Sequence, residues 1–193
     1  MEPIYIDNQT FEKMDFRDNP LEEGEYEKCL FKNCDFSGSD LSDFKFTDCE
    51  FVRCNLSLAK LAGTAIRDVQ FKDCKMLGLH FENCNEFGLA FGFDNCQLNH
   101  CSFFHTKLKK TEFRNSQLHE ADFARCDLSQ SLFDNCDLLR ATFDQTNLEK
   151  ANLSTSFNYA LDPELNRIKK AKFSIFGIPG LLDKYDIVIE GID

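Results

Sequence analysis

Ten cysteines, four histidines and 33 carboxylates are the residues of this 193-residue chain whose types could do chemistry. Ten thiols raise the question of a zinc site or a disulfide framework. Zinc ligands come as short C-x2–4-C pairs facing a second pair. Here Cys29/Cys34, Cys49/Cys54 and Cys96/Cys101 are all five apart. His80, His100, His105 and His119 fall in no metal-spaced or triad-like pattern. There is no P-loop, no Gly-rich dinucleotide fingerprint and no G-x-S-x-G. Carboxylates such as Asp15, Asp35, Asp122 and Asp137 recur at one position of a repeat. A polar residue there satisfies the backbone of a corner, which is a structural role and not acid–base catalysis. The sequence predicts no enzyme, no metal and no cofactor.

The spacing of five belongs to the whole chain. Phe11, Phe16, Leu21, Tyr26, Phe31 and Phe36 begin a series of large apolar centres that runs unbroken to Phe81. After a slip of two residues it resumes at Phe93 and continues through Leu153, and 25 of the 28 centres are Phe or Leu. Neither the 3.6-residue period of a helix nor the two-residue period of a flat strand gives strict fives. Two residues before the centres stand small side chains, and all ten cysteines fall there, with Cys84 preceding the irregular Glu86. In extended chain these two positions point to the same side. Each pentad therefore sends one small and one large side chain inward, and the other three residues turn a corner in water. The cysteines are expected to be reduced, buried and inert.

Pentads such as Cys34-Asp35-Phe36-Ser37-Gly38 and Ala121-Asp122-Phe123-Ala124-Arg125 resemble the pentapeptide-repeat family. The resemblance implies an all-β solenoid, a right-handed quadrilateral parallel β-helix with four pentads per coil. Reading every twentieth residue supports four: Phe11, Phe31, Phe51, Phe71, Phe93, Phe113 and Phe133 align as a core stack. About seven coils follow, with residues 1–8 as a lead-in, 9–158 as the β-helix and 159–193 as a carboxy-terminal cap. The register slip at 84–92 predicts a small bulge that turns Glu86 outward, lets Phe87 or Phe91 fill the gap, and uses Gly88 and Gly92 for unusual backbone angles. Asp162-Pro163 reads as a helix start, 179–185 as a short helix and 187–189 as a strand.

The tail carries Phe173, Phe176, Ile178, Leu181, Leu182, Tyr185, Ile187 and Ile189, more apolar surface than a cap needs. It resembles that of the quinolone-resistance and microcin-immunity branch of the family, which implies a homodimer joined end to end. The same branch implies DNA gyrase or topoisomerase IV as partner. Charge agrees with a basic protein partner: Lys+Arg number 22 against 33 Asp+Glu, so nucleic acid and anionic membranes are repelled. Neither a spanning segment nor a secretory leader is visible, and a cytoplasmic location is expected. Sorted by face, Glu22, Glu23, Asp40, Asp43, Glu82, Asp122 and Asp144 lie together, opposed only by Lys60 and Arg125. The neighbouring face around Tyr26, Phe46, Ile66 and Leu108 reads as balanced, with Lys107, Lys109 and Lys110 offsetting its acids. The acidic face together with what the resemblance implies gives the expectation of a non-enzymatic rod that mimics DNA towards a type II topoisomerase, or else a rigid scaffold for another protein.

Overall fold

The computed structural model describes residues 4–191. Strands occur where pentads stay extended: β1 (Ile4–Asp7), β2 (Thr10–Glu12), β3 (Gly24–Glu27), β4 (Leu30–Lys32), β5 (Lys45–Thr47) and β6 (Glu50–Val52). They continue with β7 (Ala65–Arg67), β8 (Val69–Lys72), β9 (Phe91–Asp94), β10 (Glu112–Arg114) and β11 (Leu132–Asp134). All pairings are parallel, in one sheet β1-β3-β5-β7 and another β11-β10-β9-β8-β6-β4-β2. Single parallel bridges such as Asp35↔Asn55 and Asp122↔Thr142 carry the other two sides. Partners are twenty residues apart, or twenty-two across the bulge, so each coil holds four pentads and the solenoid is four-sided, with about seven coils.

The expected core stack is the spine of the rod. Phe11 faces Phe31, Phe31 faces Phe51, and the ladder continues through Phe71, Phe93, Phe113 and Phe133. Successive rings lie 4.6–5.4 Å apart and within about 23° of parallel. Because strands repeat at about 4.8 Å, identical residues in register bring identical rings to stacking distance. Rings from adjacent sides meet them edge-on, as Phe103 and Phe123 meet Phe113 at 89° and 85°.

The small position turns out to have a second requirement, hydrogen bonding. On some corners the pentad closes itself with a backbone bond, as Ala59 N–H to the Leu56 carbonyl or Ala121 N–H to the Leu118 carbonyl. Alanine suffices there. On the corners that follow Phe31, Phe51 and Phe93 a side chain in the next coil accepts the free amide. Cys34 N–H donates to Cys54 Sγ and Cys54 N–H to Cys74 Sγ, both at 3.4 Å. Cys96 N–H donates to Ser116 Oγ at 3.0 Å. These two sulfurs donate onward, Cys54 to the Phe31 carbonyl and Cys74 to that of Phe51, and Cys136 donates likewise to that of Phe113, each at 3.3 Å. Cysteine here is a small apolar residue that also satisfies two backbone groups. Cys54→Ala orphans one buried donor, the Cys34 amide, with an expected loss of about 2 kcal/mol, while Cys54→Ser should lose less than half of that. Urea denaturation of the two variants measures it, and equal losses would remove the sulfur ladder from the stability of the fold.

The corners also use the carboxylates as expected. Asp35, Asp122, Asp127 and Asp137 each accept the amide two residues on, at 2.8–3.2 Å. Such Asx turns hold the chain at the sharp bend.

Three local expectations change. At the bulge, Phe91 enters the core while Phe87 is 79% exposed, its ring over the Arg67 guanidinium at 5.8 Å. Gly88 has φ +72, but Gly92 lies extended in β9 and has no positive φ. No helix starts at Asp162. The ladder continues instead through Asn147↔Arg167 and Asn152↔Lys172. Thr146 N–H and the Phe143 carbonyl await partners, and the Asn166 side chain takes both, at 2.8 and 2.9 Å. Tertiary hydrogen bonding outweighs the local helix signal there. In the tail, α1 (Pro179–Leu182) and a 3-10 turn (Asp183–Tyr185) form as expected, but residues 187–189 are not a strand because they meet no sheet edge.

Candidate functional site

The cysteines come first because they are the most reactive residue type present. All ten are free and buried. Burial pushes the Cys49, Cys126 and Cys136 thiols up to about 11 and that of Cys101 to about 12. A thiol protonated at neutral pH and screened from solvent is a poor nucleophile and a poor metal ligand. Among the described residues no group of His, Cys, Asp and Glu is arranged to hold a metal ion. The His119 ring lies 2.8 Å from Asp137 and the His80 ring 2.9 Å from Glu82. A cleft of about 330 Å³ beside the bulge is lined by Glu82, Glu86, His105 and Lys107. The Cys84 thiol at its floor is raised to about 12 by burial, with Glu82 adding to the effect.

The surface is therefore where this rod has chemistry to offer. The ladder places the sequence-predicted acids on one side. Residue pairs Asp40↔Lys60, His80↔Ser102, Ser102↔Asp122 and Asp122↔Thr142 form one column of that side. Glu22, Glu23, Asp40 and Asp43 are exposed, whereas Glu82, Asp122 and Asp144 are half-buried. Part of this charge is engaged. Asp40 accepts the Ser42 amide at 3.1 Å and lies 3.6 Å from Lys60. Hydrogen bonds from the Ser42 hydroxyl and amide hold its carboxyl below the usual carboxylate range, so it stays ionised at neutral pH. Asp122 accepts the Ala124 amide, and Asp43 packs over Gly63, where a Cβ would sit 2.3 Å from Oδ1. Glu22, Glu23 and Asp144 carry the side's uncommitted charge. Asp162 and Glu164 extend the same side by one coil, where Lys184 bridges them at 2.8 and 2.7 Å.

The apolar tail residues divide into two groups. Phe173 and Leu181 pack against the core, with Phe173 against the Tyr159 ring at 5.8 Å, and Ile178 and Leu182 are half-buried. The Leu161 amide donates to the Gly180 carbonyl at 2.9 Å, which ties the short helix to the last coils. Phe176, Tyr185, Ile187 and Ile189 remain 37–69% exposed. Ile175 and Val188, at 67% and 90% exposed, belong to the same surface and were not singled out by the sequence.

A family model described as a pentapeptide repeat region matches residues 24–92 and 78–153. The chain belongs to the pentapeptide-repeat family. Among solved structures of this family's fold it is similar to a trypsin-treated form of QnrB1, a plasmid-mediated fluoroquinolone resistance protein. Identity is 18%, with a TM-score of 0.61 over 97% of this chain and 98% of that one. It is also similar to HetL, a pentapeptide repeat protein involved in heterocyst differentiation regulation from the cyanobacterium Nostoc. There identity is 14% and the TM-score 0.70, over 90% of this chain and 86% of that one. No curated protein matches in sequence. At such identities the likeness establishes the β-helix and leaves function to the surface. Among the described residues no helix is long and apolar enough to cross a membrane.

Proposed function

We propose that this pentapeptide-repeat protein is a non-enzymatic, cytoplasmic binding rod whose acidic side enters the DNA-binding groove of a type II topoisomerase in place of phosphates. The observation that carries the reading is one side of a rigid solenoid bearing Glu22, Glu23, Asp40, Asp43, Glu82, Asp122 and Asp144 against only Lys60 and Arg125. A row of carboxylates on a stiff rod attracts the basic groups that otherwise bind phosphate. The fold shared with a fluoroquinolone resistance protein supports this choice of partner. Two copies join through the exposed tail surface in this reading.

A second reading, a scaffold for a different protein partner, is favoured by the interruption of the acidic column at Lys60, His80 and Ser102. The likeness to a regulator of differentiation points the same way. Supercoiling by purified gyrase, with and without a quinolone, separates the two. The protein should alter supercoiling or drug sensitivity at micromolar concentration, and added salt should weaken the effect. Reversing Glu22, Glu23 and Asp144 should abolish it, while reversing Glu25, Glu27 and Asp68 on the neighbouring side should not. Equal effects of the two sets would reduce the matter to net charge. No effect at tens of micromolar would leave the scaffold reading in place.

A further inference from the structure

The side next to the acidic one does not keep the balance its sequence suggested. In its amino-terminal half the cations are neutralised locally: Lys28 pairs with Glu27 at 2.6 Å and Lys45 with Glu25. The continuation of the ladder beyond residue 158 changes the other half. Bridges Lys107↔Asp127, Asp127↔Asn147 and Asn147↔Arg167 stack four coils, and the last brings Arg167, Lys169 and Lys170 onto the side that holds Lys107, Lys109 and Lys110. Of the seven cations there, Lys107 lies 3.8 Å from Glu86 and Arg167 pairs with Glu149 at 2.7 Å. Lys109, Lys110, Lys150, Lys169 and Lys170 are exposed and make no ion pair among the described residues. The side's own acids over these four coils are Asp127 and Glu149, with Glu86 beside Lys107 and Asp68 and Glu112 bordering Lys109 and Lys110. A concentration of unpaired positive charge on a chain with a net charge of -11 is not explained by solubility.

We propose that this lysine stripe binds an acidic polypeptide segment, so that the rod can hold a cationic partner on one side and an anionic one on the adjacent side. Its shape selects the ligand. Three coil steps and one side of the solenoid make a stripe about 14 Å long and about 10 Å wide. A duplex nucleic acid laid across it would bring phosphates against Asp122 and Asp144 on one flank and Glu112 and Asp134 on the other. Single strands are bound through aromatic stacking platforms, and the outward residues of the lysine side include no aromatic, the exposed Phe104 and Phe157 lying on other sides of the solenoid. A helix about 10–12 Å across, with carboxylates on one face, matches both the width and the sign.

The test compares three probes at low salt by fluorescence anisotropy or flotation: a Glu-rich helical peptide, oligo(dT) and phosphatidylserine vesicles. Wild-type protein should bind the peptide most tightly, and Lys110→Glu/Lys150→Glu/Lys170→Glu should weaken it about tenfold or more. The matched control Lys13→Glu/Lys60→Glu/Lys75→Glu has the same net charge and should change it little. All six residues are exposed, and circular dichroism confirms that both variants fold. Equal weakening by the control, tighter binding of oligo(dT) or vesicles, or no measurable peptide binding would each overturn the proposal. None of these readouts involves a topoisomerase, so the result stands apart from that of the supercoiling assay.

Discussion

Phe113→Ala should destabilise the protein by about 3–5 kcal/mol, a large fraction of the total for a domain of this kind. The ring is fully buried and stacks on Phe93 at 5.3 Å and on Phe133 at 4.7 Å. It also receives Phe103 and Phe123 edge-on. Removing it opens a cavity that neighbours held by the coil ladder cannot collapse into, and it forfeits aromatic pairs above, below and beside. Position along the rod should matter as much as chemistry. Phe11 belongs to the same column, but it is half-buried and stacks only on Phe31, at 4.8 Å. Phe11→Ala should therefore cost less than half as much. In a solenoid each coil is stabilised by its neighbours, so a central defect uncouples the two halves whereas a terminal one frays an end. Urea denaturation followed by circular dichroism should show a broadened or two-step transition for Phe113→Ala and a nearly unchanged one for Phe11→Ala. Equal losses at both positions would contradict a core built on continuous stacking.

The architecture was legible because a five-residue period admits few explanations and because every twentieth residue repeats the same type. Phe31, Phe51 and Phe71 announce their own stacking. What the small position does was not legible, since Cys, Ser and Ala look equivalent as small side chains. They differ once the corner type is known: Ala121 sits where the backbone closes the turn, and Cys54 where it does not. The end of the ladder was hidden for a related reason. Asn158 and Pro163 stand where a Phe or Leu is due, and the two hydrogen bonds of the Asn166 amide, at the small position, reveal that the coil continues. Missing that coil also concealed the lysine stripe, because Arg167, Lys169 and Lys170 were counted with the tail. The acidic side was readable from register alone. The partial burial of Glu82, Asp122 and Asp144 was not, because it depends on how neighbouring corners shade one another.

In sedimentation, the full-length chain should run at about twice its 22.3 kDa mass. The expectation rests on Ile175, Phe176, Tyr185, Ile187, Val188 and Ile189, which expose 37–90% of their surface at one end of the rod. Contiguous apolar surface rarely stays open to water in a monomer, and a two-fold pairing buries the same patch on both copies. Deleting residues 177–193 is an ambiguous test, since it also removes Leu181 and the Gly180 carbonyl that secure the last coils. The sharper variant is Phe176→Asp with Val188→Asp. Both side chains point to solvent, so the coils should keep their stability while four carboxylates face one another across the pairing surface. That repulsion should shift the protein to monomer at micromolar concentration without moving the urea midpoint of the coils. A wild-type monomer at the same concentration would remove the dimer, and an unaltered dimer in the double variant would move the contact elsewhere on the rod. If the dimer forms as expected, the two acidic sides belong to one longer rod, and its affinity for an extended basic groove should exceed that of the monomeric variant through simultaneous engagement. Comparing the two in the supercoiling assay at equal chain concentration would show whether length, and not only charge, governs the interaction.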